Sequence, residues 1–340
     1  MRKGNILILI GLVFIGIALF LIWDQGKRNS WEILSPLGSL KQIEEEKPLE
    51  KYSFENLKRR GGKESEIKLE KVLKEEKEFT AYLFSYLSEG RKITGLANLP
   101  AGRQVFPKDK FPVIIMIRGY IDQEDYQTGA GTSKAGEFFA KNSFFTLAPD
   151  FLGYGGSDMP PNNVWEERFL KPIAILDLIA SIKSLAQAEP TKICLWGHSN
   201  GGMVGLSVLA ISQADYPTTL WAPVSQFFPY DVLYYTDEFD DKGKKLRKSL
   251  SEFEKDYNVD EYSFDEHLDW IKGPILLHQG TADESIPVEW SDNLAAELKE
   301  LEKEVVYYLH SGADHNMKGA WETVVKRDLD FFQRNLSLSL

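Results

Sequence analysis

The segment Gly197-His198-Ser199-Asn200-Gly201 stands between the apolar run Ile193–Trp196 and the glycine-rich segment Gly202–Leu206. This pattern predicts a strand, a very tight turn at Ser199 and then a helix. Glycines on both sides of the turn avoid side-chain clashes, so we expect a strained backbone at Ser199 and a hydroxyl exposed at the sheet edge. Because a helix N-terminus follows, the backbone N–H of Asn200 is a predicted donor to an oxyanion. The alternative is a turn that only packs a helix against a strand.

Strands and helices alternate on both sides of this turn. Phe111–Ile117 is a continuous apolar run, as in strands that are covered on both faces. Ile67–Tyr86 partly alternates charged and apolar residues, which predicts an edge hairpin. The alternation predicts an α/β fold with a doubly wound, mostly parallel sheet, whose functional residues lie at the carboxyl ends of strands. The other predicted strands cover residues 92–99, 144–148, 192–196, 218–222, 274–278 and 305–310, and the predicted helices 133–141, 170–188, 290–303 and 321–336.

A serine hydroxyl is a poor nucleophile unless a base removes its proton, and the chain has 5 histidines. His315 lies in the loop 311–316, between the last predicted strand and the last predicted helix. In one known class of enzymes the nucleophile lies at a strand-to-helix turn and the base lies in a loop after a later strand. His315 is therefore the predicted base. The other histidines lie in the turn, in a later insertion or in strands: His198, His267, His278 and His310.

A carboxylate is needed to orient such a base. Asp283 lies in the loop 279–287, a few residues beyond a predicted strand, and is the predicted partner of His315. Glu284 and Asp314 are the competing carboxylates, each adjacent to a chosen residue. The chain order serine, aspartate, histidine is the order of α/β-hydrolases.

A second oxyanion donor is expected from the loop after an earlier strand. Ile117-Arg118-Gly119-Tyr120 follows the apolar run described above. Gly119 permits a close approach of the backbone, so the backbone N–H of Tyr120 is the predicted donor. Alternatively, Tyr120 only lines the pocket.

Four segments resemble the α/β-hydrolase superfamily, and within it most of all the prolyl-oligopeptidase-like and related esterase branches. They are Gly197–Gly202, Gly280–Asp283, Gly312–His315 and Asp150–Ser157. The resemblance covers the chain from about Arg91 to its C-terminus. It implies hydrolysis of an ester or amide through an acyl-enzyme, with neither metal nor cofactor.

Two departures from the family pattern bear on the substrate. Arg118 stands where many members have a histidine before the glycine, and the chain leaves no room for the β-propeller of the large oligopeptidases. We therefore predict a serine hydrolase that cleaves a carboxylic ester. An aminopeptidase or acylaminoacyl-peptidase-type amide hydrolase is one alternative, and a non-catalytic, membrane-tethered binding protein is another.

The N-terminal region differs from the rest of the chain. Ile6–Trp23 carries no charge and just reaches the length of a membrane span, roughly 18 residues. No small-residue cleavage site follows, so we predict an uncleaved anchor over residues 1–23 and an extracytoplasmic catalytic domain, with secretion as the alternative. A charged linker over 24–63 and a hydrolase domain over 64–340 follow, with a cap insertion at about 226–272.

Composition limits the partners. The formal charge is -11, from 51 acidic and 40 basic residues, which argues against nucleic acid. Cys194 is the single cysteine, so it can form neither an intramolecular disulfide nor a zinc site by itself. The predicted partners are a small ester or short peptide and the membrane; the physiological substrate and the oligomeric state stay open.

Overall fold

A single sheet of nine strands organises residues 47–101 and 110–338, which the computed structural model describes. Its order is β1-β2-β3-β5-β4-β6-β7-β8-β9. The pairs among β1, β2, β3 and β5 are antiparallel, and all pairs from β5 to β9 are parallel, which confirms the predicted α/β fold with a mostly parallel sheet. The strands are β1 (Lys68–Glu75), β2 (Phe79–Ser88), β3 (Arg91–Pro100), β4 (Phe111–Ile117), β5 (Phe145–Pro149), β6 (Ala188–His198), β7 (Thr218–Trp221), β8 (Ile275–Gly280) and β9 (Val305–His310).

Burial along the strands follows their sequence patterns. Every residue of β4 is buried, because apolar side chains on both faces of this strand are covered. β1 is exposed at the edge of the sheet, where its lysines and glutamates meet water. The described α-helices are α1 (Phe54–Arg60), α2 (Ser133–Lys141), α3 (Val164–Ser181), α4 (Asn200–Ser212), α5 (Tyr230–Leu233), α6 (Lys244–Phe253), α7 (Val288–Glu300) and α8 (Trp321–Asn335).

The helix predicted at 170–188 has different bounds. α3 begins six residues earlier, since the side chain of Asn163 accepts hydrogen bonds from the backbone N–H groups of Trp165 and Glu166 and so caps the helix. It ends at Ser181, and Ala188 already belongs to β6. Helical spacing of apolar residues therefore located the helix but misplaced both ends.

The predicted linker 24–63 extends too far toward the C-terminus. The compact unit that contains the sheet begins at Pro48, and Tyr52, Phe54 and Leu57 are buried in its core. Arg60 donates two hydrogen bonds of 2.8 Å to the fully buried carboxylate of Asp177. The last part of the predicted linker thus belongs to the folded body, because it supplies apolar side chains and a counter-ion that the body buries.

The anchor predicted for residues 1–23 and the first part of the linker lie outside the described residues, so both stay predictions. Within residues 47–101 and 110–338, none of the helices has the length and apolar character to cross a membrane.

The insertion between β7 and β8, residues 226–272, forms α5, α6 and short 3-10 helices. Its aromatic side chains pack on α3. The ring centroids of Phe228 and Trp165 are 5.4 Å apart, and those of the stacked rings of Tyr262 and Phe169 are 4.9 Å apart. Tyr235 donates a hydrogen bond of 3.2 Å to the carbonyl of Ser285. The insertion therefore contacts the loop that follows β8.

Strand register brings distant loops to one edge of the sheet. His198 at the end of β6 pairs with Trp221 at the end of β7, and Gly280 at the end of β8 pairs with His310 at the end of β9. Parallel strands that end together place their following loops side by side. The turn after β6 and the loops after β8 and β9 are the ones that carry the predicted functional residues.

Candidate active site

Ser199 is held in a strained turn between β6 and α4. Its φ is 55° and its ψ is -122°, a region that non-glycine residues rarely adopt. Its N–H donates to the carbonyl of Trp221 at 2.9 Å, and its carbonyl accepts from the N–H of Val224 at 3.0 Å. A methyl group on Gly201 would come within 2.0 Å of the Ile117 carbonyl oxygen, so this position requires glycine. The turn thus has the geometry that the sequence pattern predicts.

The structure joins His315 to Asp283. His315 Nδ1 lies 2.9 Å from Asp283 Oδ2, and the side chain of Asp283 is fully buried. Asp283 also accepts hydrogen bonds at Oδ1 from the backbone N–H groups of Ser285 and Ile286, and at Oδ2 from Gln279 Nε2. Burial alone would raise the pKa of Asp283, but the hydrogen bonds from His315 and the backbone lower it overall. An ionised Asp283 accepts a hydrogen bond from His315 Nδ1–H and leaves Nε2 to exchange protons.

The competing carboxylates have other surroundings. Glu284 is exposed. Asp314 Oδ1 accepts from the backbone N–H groups of Asn316 and Lys318, each at 2.9 Å, and so shapes the turn that carries His315. Of the three acidic candidates, the structure places Asp283 against the imidazole.

His198 contacts His315, a pairing that sequence reasoning missed. The two rings lie 4.7 Å apart, and His198 Nε2 is 2.9 Å from the backbone carbonyl oxygen of His315. Burial, followed by the nearby charge of His315, lowers the pKa of His198 to about 4. The neutral ring donates a hydrogen bond from Nε2–H to this carbonyl and so connects the loop of His315 to the turn of Ser199. In the sequence, the position of His198 next to Ser199 was the one feature that could have indicated this contact.

His198 is expected to make the fold sensitive to acid. The unfolded chain binds this proton near pH 6.5 and the folded chain near pH 4, so the free energy of unfolding falls as the pH decreases between these values. At pH 5 the loss from this group is about 2 kcal/mol. Urea unfolding at pH 7 and pH 5 should show a smaller loss in His198→Gln, which keeps an N–H donor but does not titrate. Equal losses in both proteins would contradict the assignment; the lowered pKa of His310 contributes to both.

The predicted oxyanion donors line one cleft. Tyr120, Asn200 and Gly119 all border it, and a methyl group built on Gly119 would lie 3.0 Å from Ser199 Cβ. In the described part of the chain, the backbone N–H groups of Tyr120 and Asn200 have no protein acceptor. The Tyr120 ring is 67% exposed and its hydroxyl donates to Asp122, so the side chain projects into solvent. Both N–H groups are therefore available next to the serine.

Arg118, which departs from the family pattern, connects the loop after β4 to the loop after β5. Its guanidinium lies 4.1 Å from the Tyr154 ring and 4.4 Å from the Tyr126 ring. It donates to the carbonyl oxygens of Gly119 and Asp150, each at 2.9 Å. Arginine joins two loops here because its planar fork reaches two carbonyls and stacks on aromatic rings at once.

The structure leaves some expected contacts unmade. Within residues 47–101 and 110–338, Ser199 Oγ makes no hydrogen bond to His315. Such contacts are often long in unliganded enzymes and tighten when substrate binds. His278, one of the other histidines, bonds to His310 at 2.9 Å and to Asp328 at 3.1 Å. The same described ranges hold no group of three or more metal-ligating side chains.

A strained serine before a helix, with a hydrogen-bonded histidine and carboxylate on neighbouring loops of a mostly parallel sheet, defines a serine hydrolase with the α/β-hydrolase fold. The family model described as "Prolyl oligopeptidase family" matches residues 138–339, more than half of the chain. The chain belongs to the prolyl oligopeptidase family.

The chain is similar in sequence to a peptidase and in fold to peptidases and esterases. An uncharacterized peptidase of Bacillus subtilis, YtmA, is 24% identical over 264 residues, which cover 75% of this chain and 93% of YtmA. The acylaminoacyl peptidase of Pyrococcus horikoshii has a similar structure, with a TM-score of 0.56 and 18% identity over 76% of this chain and 42% of that one. Acetyl xylan esterase 1 from Thermoanaerobacterium sp. has a TM-score of 0.56 and 14% identity over 84% of this chain and 94% of its own. At these identities, the structural matches show a shared fold.

Proposed function

We propose that this protein is a carboxylesterase that acts through an acyl-enzyme on Ser199. Ser199 Oγ attacks the ester carbonyl while His315 Nε2 takes its proton and then gives it to the departing alcohol. Asp283 accepts a hydrogen bond from His315 Nδ1–H throughout and stabilises the imidazolium. The backbone N–H groups of Asn200 and Tyr120 bind the oxyanion, and water then repeats the cycle to release the acid.

The hydrogen bond of 2.9 Å between His315 Nδ1 and Asp283 Oδ2 carries this proposal. It fixes one tautomer of the histidine on the loop next to a serine whose backbone is held at a φ of 55°. A structural ion pair would need neither the strained serine nor two free backbone N–H groups beside it.

The charges near the serine favour an ester over a peptide with a free amino terminus. An ammonium group calls for a carboxylate partner, whereas the charged side chains that line the cleft are Arg118 and Lys171. Peptide or acylated-peptide hydrolysis is the second candidate, supported by the names of YtmA and the acylaminoacyl peptidase.

A fluorophosphonate probe and paired substrates test the proposal. We expect the probe to modify Ser199, as located by peptide mass mapping. We expect turnover of p-nitrophenyl butyrate and no turnover of butyryl p-nitroanilide or alanyl p-nitroanilide above the uncatalysed rate. Clear turnover of an anilide would support the second candidate. A chain that neither reacts with the probe nor hydrolyses the ester would be a binding protein on a hydrolase fold.

A further inference from the structure

A cleft with two cationic side chains opens beside the predicted oxyanion donors. The residues that line it include Arg118, Lys171, Tyr120 and Asn200. No acidic side chain lines it, although the chain as a whole has a formal charge of -11. The local charge next to the serine is therefore opposite in sign to that of the whole chain.

Lys171 is a partly buried cation without a partner. It lies on α3, and in the part of the chain that the structure describes its ammonium forms neither a hydrogen bond nor an ion pair. Burial lowers the pKa of Lys171 to about 8; Glu167, one turn earlier, acts in the opposite direction, and Arg168 and Arg118 add to the lowering. Removing an ammonium from water without an acceptor is unfavourable, so this position favours a ligand that supplies negative charge.

Arg118 adds a second positive charge to the same cleft. It contacts Asp150 through the backbone carbonyl, while the carboxylate of Asp150 accepts from Thr94, Tyr126 and Thr128. Its Nε is buried and has no hydrogen-bond acceptor among the described residues. The guanidinium is thus held by neutral carbonyls and rings, and its charge still acts on the cleft.

We propose that this cleft binds a carboxylate carried by the substrate, with Lys171 as its ion-pair partner. The preferred esters are then half-esters of dicarboxylic acids or esters of an acidic alcohol. Arg118 supports binding through its charge. Its hydrogen bond to the Gly119 carbonyl holds the oxyanion loop, the loop after β4, beside the bound carboxylate. This proposal rests on the proposed esterase function, and it adds the substrate class.

Two matched pairs of esters test it on the full chain. The first pair is mono-p-nitrophenyl glutarate and p-nitrophenyl valerate, which place the carboxylate or a methyl group at the end of the acyl chain. The second pair is 4-carboxyphenyl butyrate and 4-methylphenyl butyrate, which place it on the leaving group. For each pair, kcat/KM of the charged ester is divided by that of the neutral ester.

In Lys171→Met this ratio should fall roughly 10- to 100-fold for one pair, as expected for loss of a charge-assisted hydrogen bond. Lys171→Gln should give the same fall, and Lys171→Arg should keep most of the wild-type ratio. Lys71→Met, on the exposed strand β1, controls for removal of one positive charge and should leave the ratio unchanged. Because each protein is its own reference, partial loss of folded protein cancels in the ratio.

The pair whose ratio falls identifies the side of the ester that carries the carboxylate. Ratios that stay at the wild-type value in both Lys171→Met and Lys171→Gln would overturn the proposal while the esterase function stands. A wild-type chain that hydrolyses none of the four esters would instead reject the proposed function on which it rests.

Discussion

Replacing Ser199 by alanine is expected to lower kcat for ester hydrolysis by roughly four to six orders of magnitude. The hydroxyl is the proposed nucleophile, and no other group can form the acyl-enzyme at that point of the turn. Reaction with the fluorophosphonate probe should be lost as well. The measurements are ester hydrolysis at saturating substrate and intact mass after incubation with the probe.

The fold should survive this change. Ser199 Oγ makes no hydrogen bond among the described residues, and alanine meets the same backbone strain at a φ of 55°. Ser207→Ala is a matched control, since Ser207 is buried in α4 and its hydroxyl donates to the carbonyl of Met203. That variant should keep turnover and probe labelling. Wild-type ester hydrolysis by Ser199→Ala would exclude the proposed mechanism.

Asp283→Asn is expected to lower kcat by roughly 10⁴-fold while leaving the fold intact. Asp283 Oδ1 accepts from the backbone N–H groups of Ser285 and Ile286, so the oxygen of an asparagine would stay there. Its NH₂ group would then face His315 Nδ1 and donate to it, and the hydrogen bond from Gln279 Nε2 to this position would be lost. The proton of His315 would move to Nε2, which could no longer take the proton of Ser199.

The two neighbouring carboxylates supply the controls. Glu284→Gln and Asp314→Asn remove the same charge within one residue of Asp283 and His315, and both should retain at least a large part of the wild-type kcat. Asparagine at position 314 keeps an oxygen for the N–H groups of Asn316 and Lys318. If one of these variants lost as much activity as Asp283→Asn, the effect would reflect a general loss of charge and not the tautomer of His315.

Local sequence was sufficient for the features that depend on neighbouring residues. The turn of Ser199 follows from chain geometry within five residues, because a side chain on Gly197 would lie 2.8 Å from the carbonyl oxygen of Gly201. The fully apolar run of β4 likewise indicates a strand covered on both faces. The bounds of α3 and the start of the folded body were wrong, because both depend on which groups cap or bury a segment. The cap of Asn163 and the ion pair of Arg60 with Asp177 supply those groups.

The sequence by itself determined the fold class, the strained serine and a short choice of histidines and carboxylates, because strand periodicity and tight turns are encoded within a few residues. Only the tertiary structure decided which carboxylate meets His315, since Asp283 reaches it across the loops after β8 and β9. The same holds for His198, which bonds to a loop 117 residues away, and for Lys171, which α3 brings to the cleft. These contacts depend on the parallel register of the strands and on helix packing, and both arise from interactions between residues far apart in the chain.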